Sequence, residues 1–388
     1  MSESRPDCLP LLEALTAFPT ISADSNLPLI AYVQAYLAEH GIEADLIYDE
    51  TGKKANLYAT IGPKDRPGIC LSGHTDVVPV AGQDWTTDPF MADRRNGRIH
   101  GRGTCDMKGF VAGVLALVPK AAQRTLSTPL HIALSHDEEV GCLGVRNLLA
   151  WLGDQPVKPA MCIVGEPTVM TPVIAHKGKI AMRCTVTGVE CHSSLAPEGV
   201  NAIHYAADLV ALIRRMAGRL AADGPFEAGF APAHTTMQVG TVSGGSALNI
   251  VPGQCRFDFE IRHLPSHDPM PLVDEARALA ETALLPEMRR IGADAGIAFA
   301  ELVRYPGLAT DERHPVVELA KGLSGANDVG KAAFGTEAGL FQRAGIPTVV
   351  CGPGSIAQAH KPDEFIEIDQ LHRLETFLDR LLDRVTAS

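Results

Sequence analysis

Gly68-Ile69-Cys70-Leu71-Ser72 runs directly into Gly73-His74-Thr75-Asp76. A short β-rich run gives way at once to a polar loop carrying an imidazole and a carboxylate. Three later segments repeat that grammar. Leu130-His131-Ile132-Ala133-Leu134 leads into Glu138-Glu139, Met161-Cys162-Ile163-Val164 into Glu166, and Pro347-Thr348-Val349-Val350-Cys351 toward His360. Apolar runs of this kind predict strands in a sheet covered on both faces by helices. Such sheets gather ligands outside the carboxyl ends of their strands. The four loops therefore meet at one sheet edge, and the fold is α/β.

Around this frame, Leu11 to Phe18 and Leu27 to His40 carry apolar residues at helical spacing. Between about residues 181 and 305 the pattern changes. Ala181 to Gly188 and Cys255 to Arg262 alternate as half-exposed strands do, and Ile297 to Val303 reads as a last strand. Helical stretches cover Ala202 to Leu220 and Pro271 to Leu285, giving a strand–helix–strand–strand–helix–strand order. A smaller α+β domain at 181–305 is thus expected to be inserted into a larger one at 1–180 and 306–388. His360 lies beyond the insertion yet belongs with the first residues.

The bulk numbers narrow the function. A chain of 388 residues exceeds one ordinary core, which suits two domains. A net charge of −12 argues against nucleic acid, whose binding needs basic patches, and weakly against an anionic membrane surface. The apolar run Val111 to Val118 is too short to span a bilayer. The N-terminus shows no basic region followed by an apolar stretch, and nine cysteines without CxxC pairs fit reduced thiols. The expectation is a cytoplasmic chain without disulfides or a structural zinc knuckle.

Each polar loop has an ordinary reading beside a chemical one. His74 and Asp76 alone could be a surface histidine and a turn aspartate, or a ligand whose second N–H is held by a carboxylate. Asp106, in Gly101-Arg102-Gly103-Thr104-Cys105-Asp106-Met107-Lys108-Gly109, could cap the helix that follows. Glu138 and Glu139 could be a solvated acidic turn. Adjacent side chains diverge, however, so one can ligate a cation while the other faces a water as general base. Taken together, the residues supply what a two-metal hydrolase needs: a shared carboxylate, terminal His and Glu ligands and a separate base. No His-Glu-x-x-His helix, Gly-x-Ser-x-Gly elbow or complete dinucleotide fingerprint competes.

The ordered set Ser-Gly-His-Thr-Asp-Val-Val-Pro (72–79), Gly-Arg-Gly-Thr-Cys-Asp-Met-Lys-Gly (101–109), Asp-Glu-Glu (137–139), Gly-Glu-Pro-Thr (165–168) and Gly-Pro-Gly-Ser-Ile-Ala-Gln-Ala-His-Lys-Pro-Asp-Glu (352–364) closely resembles the M20 metallopeptidase family. The resemblance implies a zinc-exopeptidase-like catalytic domain with a mixed sheet, and an inserted lid that also forms a homodimer. It implies two Zn²⁺ per subunit, with Co²⁺ able to substitute. Asp106 would bridge them, His74 and Glu166 would complete one site, and Glu139 and His360 the other. Glu138 would be the general base acting on a water between the ions, and Asp76 the partner of His74. The Asp106-Met107 peptide is expected to be cis. His192 in the lid would stabilise the oxyanion, often across the dimer, while Asn249 and Arg262 would meet the polar end of the substrate. Ala175-His176-Lys177-Gly178 and Gly335-Thr336-Glu337-Ala338 resemble the branch that acts on N2-acetyl-L-ornithine, releasing acetate and L-ornithine for arginine biosynthesis. Lys177, Thr336 and Glu337 are therefore substrate-side candidates, Lys177 for the α-carboxylate and Glu337 for the side-chain ammonium. Alternative substrates within the family are succinyl-diaminopimelate, other acyl-amino acids or dipeptides. A metal-stabilised binding protein without catalysis is the alternative from a different class.

Overall fold

The computed structural model describes residues 6–387. They form two compact units. The first holds the chain up to Ala175, Leu308–Lys331 and the chain from Thr336 onward; the second holds His176–Gly307 with Ala332–Gly335. The second unit thus begins before residue 181, because residue 181 lies inside the strand Gly178–Thr187, and it takes in a short return near residue 335.

In chain order the principal strands are β1 (Ala44–Tyr48), β2 (Ala55–Ile61), β3 (Ile69–His74), β4 (Leu130–Ser135), β5 (Met161–Pro167), β6 (Val173–His176), β7 (Gly178–Thr187), β8 (Thr236–Gly244), β9 (Gln254–His263), β10 (Gly296–Tyr305) and β11 (Thr348–Gly352). The first unit is built on a mixed sheet in the order β1-β2-β4-β3-β5-β11-β6, with short strands beyond β6. Its centre is parallel, β4, β3, β5 and β11 running side by side, and its β1-β2 edge is antiparallel. Every residue of β3, β4 and β11 is buried, as expected for strands covered on both faces. His74 pairs with Ser135 across β3 and β4, which aligns the carboxyl ends of neighbouring strands.

One cover is the apolar helix α1 (Gly109–Ala122), packed against α2 (Ile368–Val385). Leu371, Leu374, Leu378, Leu381, Leu382 and Val385 form the buried stripe of α2 at three- and four-residue spacing. Each such side chain contributes about 1.5–3 kcal/mol of burial. Gly113 makes the contact possible, since a Cβ there would lie 2.3 Å from Leu374 Cδ2.

The second unit is an antiparallel sheet in the order β8-β9-β7-β10. Burial alternates along β7 and β9, so one face is apolar. Ile180, Met182, Phe257 and Phe259 on that face pack with Leu209, Ile213 and Met216 of the helix Ala202–Asp223. A second helical stretch, Met270–Leu279 continuing to Ile291, completes the cover.

Candidate active site

The carboxyl edge of the parallel strands gathers six residues of the first unit. His74 is the last residue of β3, and Glu166 lies within β5 rather than in the loop after it. Glu138 and Glu139 follow β4, and His360 follows β11. Asp106 sits in the tight turn Thr104–Lys108 ahead of α1, with Gly103 before it at φ +82°, a left-handed conformation that favours glycine. A Cβ on Gly103 would also strike Val77 at 2.7 Å. The Asp106-Met107 peptide is cis.

Asp106 stands between the two imidazoles. Its Oδ1 is 3.1 Å from His74 Nε2 and its Oδ2 is 3.3 Å from His360 Nε2. Glu166 Oε1 lies 3.8 Å from His74 Nε2, and Glu139 Oε2 lies 3.0 Å from His360 Nε2. His74, Asp106 and Glu139 can each turn a ligand atom into one space under 4.8 Å across, and so can His74, Glu138 and Glu166. Glu138 therefore borders the same space as the ligand candidates.

Burial dominates the electrostatics. It pushes Glu138 up to about 8 and Glu139 up to about 7, and it raises Glu166 as well. Burial works against the ionised form of Asp106 too, yet His360 and His74 hold its carboxyl below the usual range. Asp106 and Glu139 raise His360 to about 10. Burial works against the charged form of His74, but Asp106 and Glu166 carry it upward. Four closely set carboxyl groups with only two imidazoles among them are short of positive charge. Nitrogen and oxygen donors at this spacing fit divalent cations, zinc among them.

Asp76 departs from expectation. The main-chain oxygen of Asp76, not its carboxylate, lies 2.9 Å from His74 Nδ1; the nearest carboxylate oxygen is at 3.6 Å. The carboxylate faces the loop after β4, where Oδ1 accepts from Glu138 N at 3.0 Å and Oδ2 from Glu139 N at 3.3 Å. Ser22 Oγ also donates to Oδ2, at 2.7 Å. Two further residues escaped the sequence reading. Cys142, at φ +53°, places its thiol 3.2 Å from Glu138 Oε1. Glu364, fully internal, accepts hydrogen bonds from Cys105 N and Asp106 N. The only sequence signal for Glu364 was its place in the motif that ends Lys-Pro-Asp-Glu.

The substrate-side candidates separate into two groups. Thr336, Glu337 and Lys177 are as buried as His74 and Asp106 and have partners within the fold. Thr336 Oγ1 accepts from Ala338 N, and Glu337 accepts from the Ser72 and Ser135 hydroxyls at 2.5 and 2.7 Å. Lys177 donates to the His234 carbonyl at 2.5 Å. His192, Asn249 and Arg262 belong to the second unit. There, His192 forms a bridge with Ile250, and Ser193 N donates to Asn249 O. Arg262 Nη1 donates to Tyr305 OH at 3.1 Å.

A parallel-sheet edge that presents two imidazoles, an aspartate between them, two further carboxylates and an adjacent buried glutamate suits a metal-dependent amide hydrolase. The chain belongs to peptidase family M20/M25/M40, whose sequence profile matches residues 70–384. It is 34% identical to an acetylornithine deacetylase of Myxococcus xanthus over 98% of both chains, and 33% identical to one of Pasteurella multocida over 97% of both. An M20 family metallo-carboxypeptidase from Sulfolobus solfataricus shares the fold at a TM-score of 0.76 and 19% identity, covering 97% of this chain and 98% of that one. A dinuclear metal binding peptidase of the family from Bacillus subtilis shares it at 0.68 and 14%, over 97% of both. Among the described residues, no helix is long and apolar enough to cross a membrane.

Proposed function

We propose that the chain is a cytoplasmic two-zinc deacetylase that hydrolyses N2-acetyl-L-ornithine to acetate and L-ornithine in arginine biosynthesis, with Co²⁺ able to replace Zn²⁺. The observation that carries the reading is Asp106, whose two oxygens face His74 on one side and His360 on the other. Substrate choice rests on the full-length likeness to the two acetylornithine deacetylases.

His74 and Glu166 would hold one cation with Asp106, and Glu139 and His360 the other. When bound, such a pair supplies polarisation of the acyl carbonyl and a water acidic enough to ionise near neutral pH. Glu138 borders that space without being needed as a ligand. It would take the proton from the water and return it to the leaving amine. Asp76 fixes the amides of Glu138 and Glu139, which keeps the base and its neighbouring ligand in step. From the second unit, the family resemblance would assign His192 to the oxyanion and Asn249 and Arg262 to the substrate's polar end. It also implies a homodimer through that unit. The outermost strand β8 and exposed Val242 and Leu248 are consistent with such pairing.

A substrate panel tests the proposal. Acetylornithine should be cleaved with the highest kcat/KM among succinyl-diaminopimelate, other acetyl-amino acids and dipeptides; a higher value for any of these reassigns the substrate. Chelation should abolish hydrolysis, and Zn²⁺ or Co²⁺ should restore it. Unaltered hydrolysis after complete metal removal would refute the metal mechanism.

A further inference from the structure

Asp106 and His360 are far apart in sequence, yet one internal carboxylate reaches the loops of both. Glu364 Oε1 accepts from Cys105 N at 2.9 Å and Asp106 N at 3.1 Å. Its Oε2 accepts from Gly103 N at 3.1 Å and Arg102 Nη1 at 2.7 Å. Those four donors fill the acceptor capacity of a carboxylate. Its main-chain oxygen takes Gly101 N at 2.9 Å.

Arg102 carries the tie onward. It is 1% exposed, and its Nη1 also donates to the Lys361 carbonyl at 3.3 Å. Its Nη2 donates to Gln83 Oε1 at 2.5 Å, and its guanidinium lies 5.0 Å from the Trp85 ring centre. The Gln83 amide then donates to the main-chain oxygen of His360 at 2.9 Å. His360 is held at φ +64°, where a residue other than glycine needs outside support. Directly after Glu364, Phe365–Glu367 pairs antiparallel with Arg98–His100, so both loops leave from one short ribbon. None of Glu364, Arg102 or Gln83 contributes a donor atom to the cluster, yet they bond the main chain of Asp106, His360 and Lys361.

We propose that Glu364, acting through Arg102 and Gln83, is a positioning residue that locks the Asp106 loop to the His360 loop and sets the affinity for the cation shared by Asp106, Glu139 and His360. This rests on the two-cation reading above. Supports behind metal ligands are typically worth about 10–100-fold in affinity.

The test is a stepwise Co²⁺ titration of the metal-stripped full chain, followed by the absorbance of bound Co²⁺ and by metal content. Thermal unfolding of the metal-free protein is recorded in parallel. Gln83→Ala removes the tie to the His360 main chain and one partner of Arg102, and leaves the bonds of Glu364 to Cys105 N and Asp106 N in place. It should leave the first equivalent and the unfolding temperature unchanged and weaken the second equivalent about 10–100-fold. Glu364→Gln keeps the shape, loses the charge and should weaken the second equivalent further. Second-equivalent affinity equal to the parent's in folded Gln83→Ala overturns the proposal. Equal weakening of both equivalents, in step with a lowered unfolding temperature, also overturns it, because the network would then be scaffolding only. If Glu364→Gln fails to fold, Gln83→Ala decides alone. A parent chain that takes up fewer than two equivalents overturns the two-cation reading, and is told apart because the parent itself deviates.

Discussion

His74 and His360 offer the same imidazole to the same aspartate from two different kinds of backbone. His74 ends a strand buried along its whole length, and its side chain is 1% exposed. His360 stands in a loop at positive φ, with 52% of its side chain exposed. The sheet ladder places the first. Side-chain ties from Gln83 and Arg102, together with Asp363 bonded to Thr86, place the second. Glu166 and Glu139 repeat the contrast, one within a strand and the other in a loop. One half of the cluster is thus fixed by main-chain geometry and the other by a network of side chains. Substitutions should tell the halves apart.

The largest effect is expected at the residue common to both halves. Asp106→Asn should lose both cation equivalents and hydrolysis with them, as measured by metal content; retention of either equivalent at parental affinity would mean that the halves do not share Asp106. Glu138→Gln should keep both equivalents while turnover falls about 10²–10⁴-fold, the usual weight of a general base. Near-normal kcat would remove Glu138 from that role.

Asp76→Asn sharpens the contrast further. The partner of His74 Nδ1 is the main-chain oxygen of residue 76, which the substitution leaves in place, so the strand-borne equivalent should bind as before. Activity should fall about 10–100-fold, because the tie to Glu139 N and Ser22 is disturbed. Loss of the first equivalent instead would restore the carboxylate as the partner of His74.

The smallest effect concerns the strand half alone. His131 lies on β4 beside β3, and burial lowers its imidazole to about 4. The unfolded chain takes up this proton below about 6.5, whereas the folded chain resists until about 4. Stability is therefore full above 6.5 and declines as the pH falls toward 4. Between pH 8 and pH 5 this one group should cost about 2 kcal/mol. Denaturant midpoints of the metal-free protein at the two pH values, compared with His131→Gln, should differ by that amount; an unchanged pH slope in the variant would discount it.

Legibility in the sequence followed the same divide. The parallel strands announced themselves as apolar runs, and a strand that ends in a polar residue delivers it to a known edge. That is why His74, Glu139, Glu166 and His360 could be brought together on paper before any distance was known, while Asp106 joined them through its glycine-rich motif and the family resemblance. Strand β8 gave no such sign, because of its residues only Met237 is buried and the alternation is lost. Burial of charge was equally hidden. Lys177 and Glu337 were candidates through their motifs and their charge, but the burial of each beside specific partners is invisible to composition. The inward turn of Glu364 was hidden for the same reason. Asp76 was assigned the right neighbour through the wrong atoms, since spacing cannot separate a main-chain oxygen from a carboxylate.

The late position of His360 and Glu364 bears on how the protein matures. A nascent chain that has already released His74, Asp106, Glu139 and Glu166 from the ribosome still lacks both the last imidazole and the carboxylate that steadies the aspartate loop. Both lie after every other member of the cluster along the chain, so the centre is complete only once they have emerged. Loading of the proposed cation pair then waits on residues 360–364, and a chain cut short before residue 360 would lack both the second imidazole and the α2 cover.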